Sequence, residues 1–147
     1  MKLSIVPLIF ILTVIFLKPV YSGDEYLVQG SVTGLTGKHN VYIALWTKDG
    51  WLKNKKFYKA EIIQADKITG NTVSFRFTAP PDDYAISVFE DLDGNKKLSK
   101  GFFGPREPYG FYKNFKPSFG APKFKDCGFS LTGDILNADI PLLNSKS

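Results

Sequence analysis

Apolar and polar side chains alternate along most of the chain after residue 22, which is the pattern of β-strands. In NTVSFRFTA, Val73, Phe75 and Phe77 alternate with polar residues, which predicts a half-buried strand with one inner face. The same period predicts strands in EYLVQGSV, NVYIALW, KFYKAEII, DYAISVF, DCGFSL and NADIPLL. NVYIALW is almost wholly apolar and is expected to be covered on both faces. No segment shows sustained helical spacing of apolar residues, so the pattern predicts an all-β protein.

Turn residues separate the predicted strands, among them Asp49-Gly50, Gly70-Asn71, Pro80-Pro81 and Gly133-Asp134. Short strands at this spacing predict an antiparallel β-sandwich with Greek-key connections. A small β-barrel is the alternative. Because proline cannot donate to a strand ladder, Pro141 is expected at an edge or a strand end.

The alternation stops at about residue 90 and returns at about residue 125. Unstructured loops of this length are uncommon in a compact domain. The interval is rich in Phe and Tyr, including Phe102, Phe103 and Phe111, and such residues can bury enough surface to order a segment. We therefore expect an ordered, aromatic-rich arm folded over the sandwich.

The N-terminal segment has the layout of a secretory signal peptide. Lys2 precedes an apolar run from Leu3 to Leu17, and small residues before Gly23 suit cleavage after Ser22. An uncleaved anchor helix is the alternative, but the run is short for a span of about 20 residues. We predict a signal peptide at residues 1–22 and a single β-sandwich domain at residues 23–147. The mature protein is expected to be periplasmic or secreted and to meet a membrane only during export.

The distribution of charge limits the classes of partner that we expect, and the single cysteine is expected to have a structural role. The formal net charge is +5, but the lysines are mostly scattered rather than clustered, which argues against nucleic-acid binding. The single cysteine, Cys127, is expected to be a buried apolar residue on the inner face of a strand.

The segment after the DYAISVF strand contains a candidate calcium site. Asp91, Asp93 and Asn95 alternate along the chain, and side-chain oxygens in this pattern can converge on one Ca²⁺ ion. The later ligand positions of an EF-hand are missing, so any affinity is expected to be millimolar at best. The alternative is a turn whose carboxylates accept hydrogen bonds from nearby backbone N–H groups. No other cofactor is expected.

Aromatic and basic residues interleave in the arm and form a candidate ligand-binding surface. Stacking faces beside cations suit an envelope glycan or an anionic polymer, and a protein partner is a further alternative. The candidate residues are Arg106, Tyr109, Phe111, Tyr112 and Lys113. The alternative is that the aromatics form a satellite core while the lysines are only solvated.

Catalytic chemistry has little support in the sequence. His39 is the only histidine and lies in a predicted loop, while Cys127 is distant from it in sequence. Adjacent carboxylates such as Asp82 and Asp83 point to opposite faces of a strand and do not make an acid–base pair. We expect a protein that is not an enzyme.

The segments YAISVFEDLDGNKKL, FFGPREPYGF and FGAPKFKDCGFSL together resemble the family called Domain of Unknown Function 2141, small exported bacterial proteins. The resemblance implies a transthyretin-like or carboxypeptidase-regulatory-like sandwich and no established activity. Glu90 stands where the family pattern usually has histidine, so no role for that histidine is carried over. We predict an exported, non-enzymatic β-sandwich module that is structural or binds a ligand through its arm. A calcium-stabilised envelope module is the alternative.

Overall fold

The computed structural model describes residues 23–53, 55–118 and 120–144. The signal peptide predicted at residues 1–22 lies outside the described residues, so it stays a prediction, as does the boundary of the domain. Within the described ranges, no helix has the length and apolar character needed to cross a bilayer.

Strands are the main regular structure of the described residues. The helical segments are short: two 3-10 turns at Ala65–Lys67 and Tyr112–Asn114, and a single turn of α-helix, α1, at Phe124–Cys127. The strands are β1 (Tyr26–Thr33), β2 (Asn40–Thr47), β3 (Lys59–Ile63), β4 (Thr72–Ala79), β5 (Asp82–Asp91), β6 (Lys100–Gly101), β7 (Gly104–Pro105), β8 (Tyr109–Phe111), β9 (Phe129–Leu131) and β10 (Ile140–Pro141).

Two sheets enclose the core, so the predicted all-β sandwich is confirmed. One sheet has the order β10-β1-β4. The other has the order β3-β2-β5-β8, and β9 pairs with β5 beside β8. A third, two-stranded ladder joins β6 to β7 within the arm. The chain crosses between the two sheets of the sandwich from β1 to β2, from β3 to β4, from β4 to β5 and from β9 to β10.

The inner faces of the strands carry the apolar residues that the alternation predicts. Along β4, Val73, Phe75 and Phe77 are buried while their neighbours are exposed. Tyr84 and Ile86 of β5 are buried in the same core. Fully burying an aromatic or aliphatic side chain of this size stabilises the fold by about 1.5–3 kcal/mol, so this core is the main support for everything outside it.

A second layer covers part of the outer face of the larger sheet, as expected for the arm. The expectation that NVYIALW is covered on both faces holds only in part, because on its outer face Trp46 is buried while Tyr42 and Ala44 are half-buried. Ala85 points away from the core because side chains alternate along β5, and it packs with Phe111 and Cys127. Trp51 packs against this cluster and donates a hydrogen bond from its indole nitrogen to the carbonyl of Pro122 (2.8 Å). The arm is therefore ordered and fixed to the sheet.

The prediction that Cys127 lies on the inner face of a strand is wrong. The residues from Phe124 to Cys127 form the single turn of α1, and β9 begins only at Phe129. Cys127 is fully buried, but in the outer cluster. Burial and the charge of Asp126 raise the pKa of its thiol to about 11, against a smaller opposing effect of Lys113.

The C-terminal strand completes the smaller sheet in a direction that the sequence did not predict. β10 runs parallel to β1, so the sandwich is not antiparallel throughout. Pro141 lies on this outermost strand, which confirms its expected edge position. The segment approaches β1 closely at Gly30, where a Cβ atom would overlap the backbone of Ala138.

Candidate functional site: the acidic loop and the aromatic hairpin

The acidic loop begins where β5 ends. Asp91 is the last residue of β5, lies opposite Asn40 of β2 and is buried. Its carboxylate accepts hydrogen bonds from the backbone N–H groups of Asn95 (3.1 Å) and Lys96 (2.9 Å). These bonds curl the loop back onto the end of its strand.

The predicted calcium residues do come together, but mainly by bonding to one another and to the loop. Asp93 accepts hydrogen bonds from the backbone N–H of Asn95 (3.1 Å) and the hydroxyl of Ser99 (2.7 Å). The Asn95 amide group donates to Asp93 (2.9 Å), and its oxygen accepts from the backbone N–H of Lys97 (2.8 Å). The bond from Ser99, with help from Asn95, lowers the pKa of the Asp93 carboxyl group.

Glu107 is a third carboxylate at this loop that the sequence did not single out. It is buried, and it accepts short hydrogen bonds from the backbone N–H groups of Leu92 (2.8 Å) and Ser99 (2.8 Å). Oxygens of Asp91, Asp93 and Glu107 all lie within 4.8 Å of one another. The donors that contact these oxygens are backbone N–H groups and a hydroxyl of the same loop, which is the pattern of a hydrogen-bonded turn. The one signal in the sequence is that Glu107 is an isolated acid in a basic, aromatic segment.

A β-hairpin projects from the acidic loop. Lys100 pairs with Pro105 and Gly101 with Gly104, so Phe102 and Phe103 form the turn between β6 and β7. Their side chains are 96% and 80% exposed. The two rings lie 5.1 Å apart and nearly perpendicular, at 83°. Among the other aromatics of the arm that the structure describes, Phe111 is buried and Tyr109, Tyr112, Phe115 and Phe124 are half-buried, whereas these two are in water.

The base of the hairpin is held to the loop from both sides. The backbone N–H of Arg106 donates to the carbonyl of Ser99 (2.8 Å), and Ser99 in turn donates to Glu107. The Arg106 side chain runs past Gly101, where a Cβ atom would approach its Nε. Glu107 is thus the anchor that joins the loop to the hairpin.

The remaining arm residues proposed for ligand binding lie mostly in structural contacts. Phe111 is buried beside Trp51, and Tyr109 packs edge-on against Phe111. Tyr112 packs edge-on against Phe129 of the core. Lys113 donates to the carbonyl of Gly128 (2.7 Å). Of the five candidate residues, Arg106 is the one that lies next to the exposed rings.

Glu90 is a further buried carboxylate near this loop, and it lies close to the only histidine of the sequence. Glu90 is fully buried and accepts hydrogen bonds from the backbone N–H (2.8 Å) and the hydroxyl of Thr36. Nδ1 of His39 lies 3.2 Å from the Thr36 hydroxyl and 3.7 Å from Glu90. A nucleophile relay needs the two nitrogens of the imidazole to contact different partners. Here the same nitrogen faces both the Thr36 hydroxyl and the Glu90 carboxylate. The arrangement therefore fits a structural role, in which Glu90 holds the loop that contains Thr36 and His39, better than it fits catalysis.

Two open clefts lie away from the hairpin. One, of about 570 Å³, runs between β3 and the start of β4 and is lined by Ile62, Lys67 and Thr72 among others. The other, of about 280 Å³, lies beside Phe124 and Ser130. Neither is lined by Phe102 or Phe103. The exposure of these two rings at the turn makes them a protruding tip.

Comparison with protein families places a match over most of the described chain. The model of a family described as an uncharacterized protein conserved in bacteria, DUF2141, matches residues 31–138. No curated protein and no solved structure matches the chain. The matched range includes the acidic loop, the hairpin and the strands from β2 to β9, but it begins within β1 and ends before β10.

Proposed function

Since the chain belongs to the bacterial family DUF2141, whose description names no activity, we propose a function from the geometry of the site. The protein acts as an exported, non-enzymatic binding module, and its contact surface is the hairpin tip formed by Phe102 and Phe103. The β-sandwich is the rigid support. The acidic loop holds the hairpin in place.

One observation carries this proposal: two large aromatic side chains stand almost fully in water on an anchored hairpin. Exposed apolar residues in contact with one another are an interaction signal, because a soluble protein gains nothing in stability from leaving them exposed. The buried carboxylate of Glu107 fixes the hairpin base through short bonds, so the rings are presented by an ordered element.

The chemistry of the site favours binding over reaction. The carboxylates of Asp91, Asp93 and Glu107 accept hydrogen bonds from the loop itself. What the hairpin offers to another molecule is apolar surface flanked by cations. These groups recognise a partner without transferring protons or forming covalent bonds.

The proposal is tested by sedimentation of the exported protein with isolated bacterial envelope. The F102S/F103S variant should lose most of its envelope binding, because it removes both exposed rings. I62S/L136S is the matched control, since it also replaces two exposed apolar residues, which are 49% and 54% exposed. Equal binding by both variants, at unchanged melting temperature, would rule out the hairpin as the contact surface.

Export is tested separately by the mass of the protein recovered from the envelope or the medium. We expect a mature N-terminus at Gly23. A protein that retains Met1 would show that the N-terminal segment is not removed.

A calcium-stabilised module is the second candidate, supported by the three carboxylates within 4.8 Å. It is the weaker of the two because the carboxylates are already engaged by backbone and hydroxyl donors. The calcium titration described in the Discussion separates the candidates.

A further inference from the structure

The residues around the exposed rings narrow the identity of the partner. Between Leu92 and Arg106 the chain has four basic residues and one acidic residue, Asp93. The basic residues are Lys96, Lys97, Lys100 and Arg106, all of them exposed. No ion pair joins any of them to a carboxylate within the described ranges. The carboxylates of Asp91 and Glu107, which flank this segment, are buried. The exposed charge of the hairpin and its loop is therefore mainly positive, and it lies beside a protruding apolar tip.

We propose that the hairpin docks on the surface of an anionic lipid bilayer, with Phe102 and Phe103 inserted among the acyl chains and the cations at the headgroups. This inference rests on the proposed function and names the partner of the same surface. The sequence alone suggested membrane contact only during export, because it gave no sign that these two rings are in water.

Charge complementarity is the first argument for a lipid surface. Basic residues near a membrane with anionic lipids each contribute about 1 kcal/mol of attraction, and apolar side chains beside them supply insertion. Lys100 immediately precedes the tip in β6, and Arg106 runs alongside Gly101 at its base. Cations and rings thus belong to one small element and can meet one surface together.

The shape of the tip is the second argument, and it weighs against a glycan. Sugars bind in concave sites or stack on flat aromatic faces. The rings of Phe102 and Phe103 lie at 83° to one another, so they do not form a common flat platform. Exposures of 96% and 80% show that neither ring lines a cleft. A protruding pair of rings suits insertion among the acyl chains of a bilayer, because these fluid chains need no shape complementary to the protein.

The anchor of the hairpin gives the third argument. Insertion stays favourable only if the hairpin does not refold to bury its own rings against the protein. The bonds from Leu92 and Ser99 to buried Glu107 hold its base in place. The rings are therefore presented outward before any membrane is met.

Vesicle sedimentation tests the proposal with the exported protein. We expect binding to vesicles of phosphatidylcholine with phosphatidylglycerol, weaker binding at high salt, and little binding to pure phosphatidylcholine. F102S/F103S should weaken binding about tenfold or more, because two rings no longer leave water. All variants carry the same N-terminal segment, so any affinity of that segment for lipid cancels in the comparison.

Two double variants that remove the same charge separate the effect of cations near the hairpin from the effect of the protein's overall charge. K97Q/K100Q should weaken binding to anionic vesicles roughly 25-fold, at about fivefold for each cation. K53Q/K56Q removes the same charge from the turn after β2 and should change binding little. The register places that turn at the opposite end of the larger sheet, since Thr47 pairs with Tyr84 while Asn40 pairs with Asp91.

The outcomes distinguish the lipid assignment from the proposed function. Binding that needs anionic lipid, both rings and the local lysines supports docking on a bilayer. Absence of vesicle binding, or vesicle binding insensitive to F102S/F103S, overturns it. If envelope sedimentation still depends on the rings in that case, the contact surface stands and its partner is a glycan or a protein.

Discussion

The carboxylate of Glu107 is the most informative single group to remove, because it joins the acidic loop to the hairpin. It is buried and accepts two short hydrogen bonds, from the N–H groups of Leu92 and Ser99 (each 2.8 Å). Hydrogen bonds to a charged group contribute about 1.5–3 kcal/mol each, so their loss costs about 3–6 kcal/mol.

Removal of Glu107 also relieves its repulsion with Asp91 and Asp93, whose oxygens lie within 4.8 Å. At that distance the repulsion between two unit charges is about 1 kcal/mol in water and about 3 kcal/mol at an effective dielectric constant of 20. The backbone donors to Asp91 and the exposure of Asp93 favour the lower figure. We therefore expect Glu107→Ala to lower the free energy of unfolding by about 2 kcal/mol.

Urea denaturation measures this change as a shift in midpoint at constant slope. Glu107→Gln relieves the same repulsion and keeps one acceptor oxygen, but its NH2 group would face the other backbone N–H donor, so its cost should be similar to that of alanine. Glu25→Ala is the control, because Glu25 is half exposed and its ion pair with Lys59 (3.9 Å) is long. Stability equal to or above wild type in Glu107→Ala would show that repulsion outweighs the hydrogen bonds and would refute the anchor.

Three further outcomes are expected. Phe77→Ala should cost about 3–5 kcal/mol in denaturation, and Arg76→Ala on the exposed face under about 0.5 kcal/mol; equal losses would contradict the inner and outer faces of β4. Cys127 should resist alkylation in the native protein. The pKa of its thiol is raised to about 11, so the protonated thiol stabilises the fold below the ordinary thiol pKa, and this stabilisation is lost as the pH rises towards 11. Rapid labelling at neutral pH, or a free energy of unfolding that does not change between those pH values, would contradict the burial of Cys127. Micromolar Ca²⁺ should leave the melting temperature unchanged, whereas a calcium-specific rise that Asp93→Ala abolishes would favour the calcium-stabilised module.

Alternation predicts the sandwich well because burial on one face of a strand has a period of two. Phe75 and Phe77 on β4, and Tyr84 and Ile86 on β5, lie in the core as the pattern indicates. The failure at Cys127 has a simple physical cause. The four residues of α1 are too few to show a helical period, so they are indistinguishable from the start of a strand.

The candidate site is only partly predictable. Asp91, Asp93 and Asn95 lie close in sequence, and their mutual contacts follow from a local turn. Glu107 reaches them because the chain returns along the hairpin, which is a tertiary contact. The exposure of Phe102 and Phe103 could not be predicted from composition, because aromatic residues usually become buried. Only the position of the turn between β6 and β7 leaves these two rings in water.

The most direct test places a reporter at the hairpin tip. Phe103→Cys labelled with a polarity-sensitive fluorophore should show a blue shift and higher intensity when envelope membranes are added, and Ile62→Cys labelled in the same way should not. Cys127 is fully buried and should not take up the label. A response at position 103 alone is the result that we predict. No response there, or an equal response at position 62, would contradict the hairpin as the contact surface.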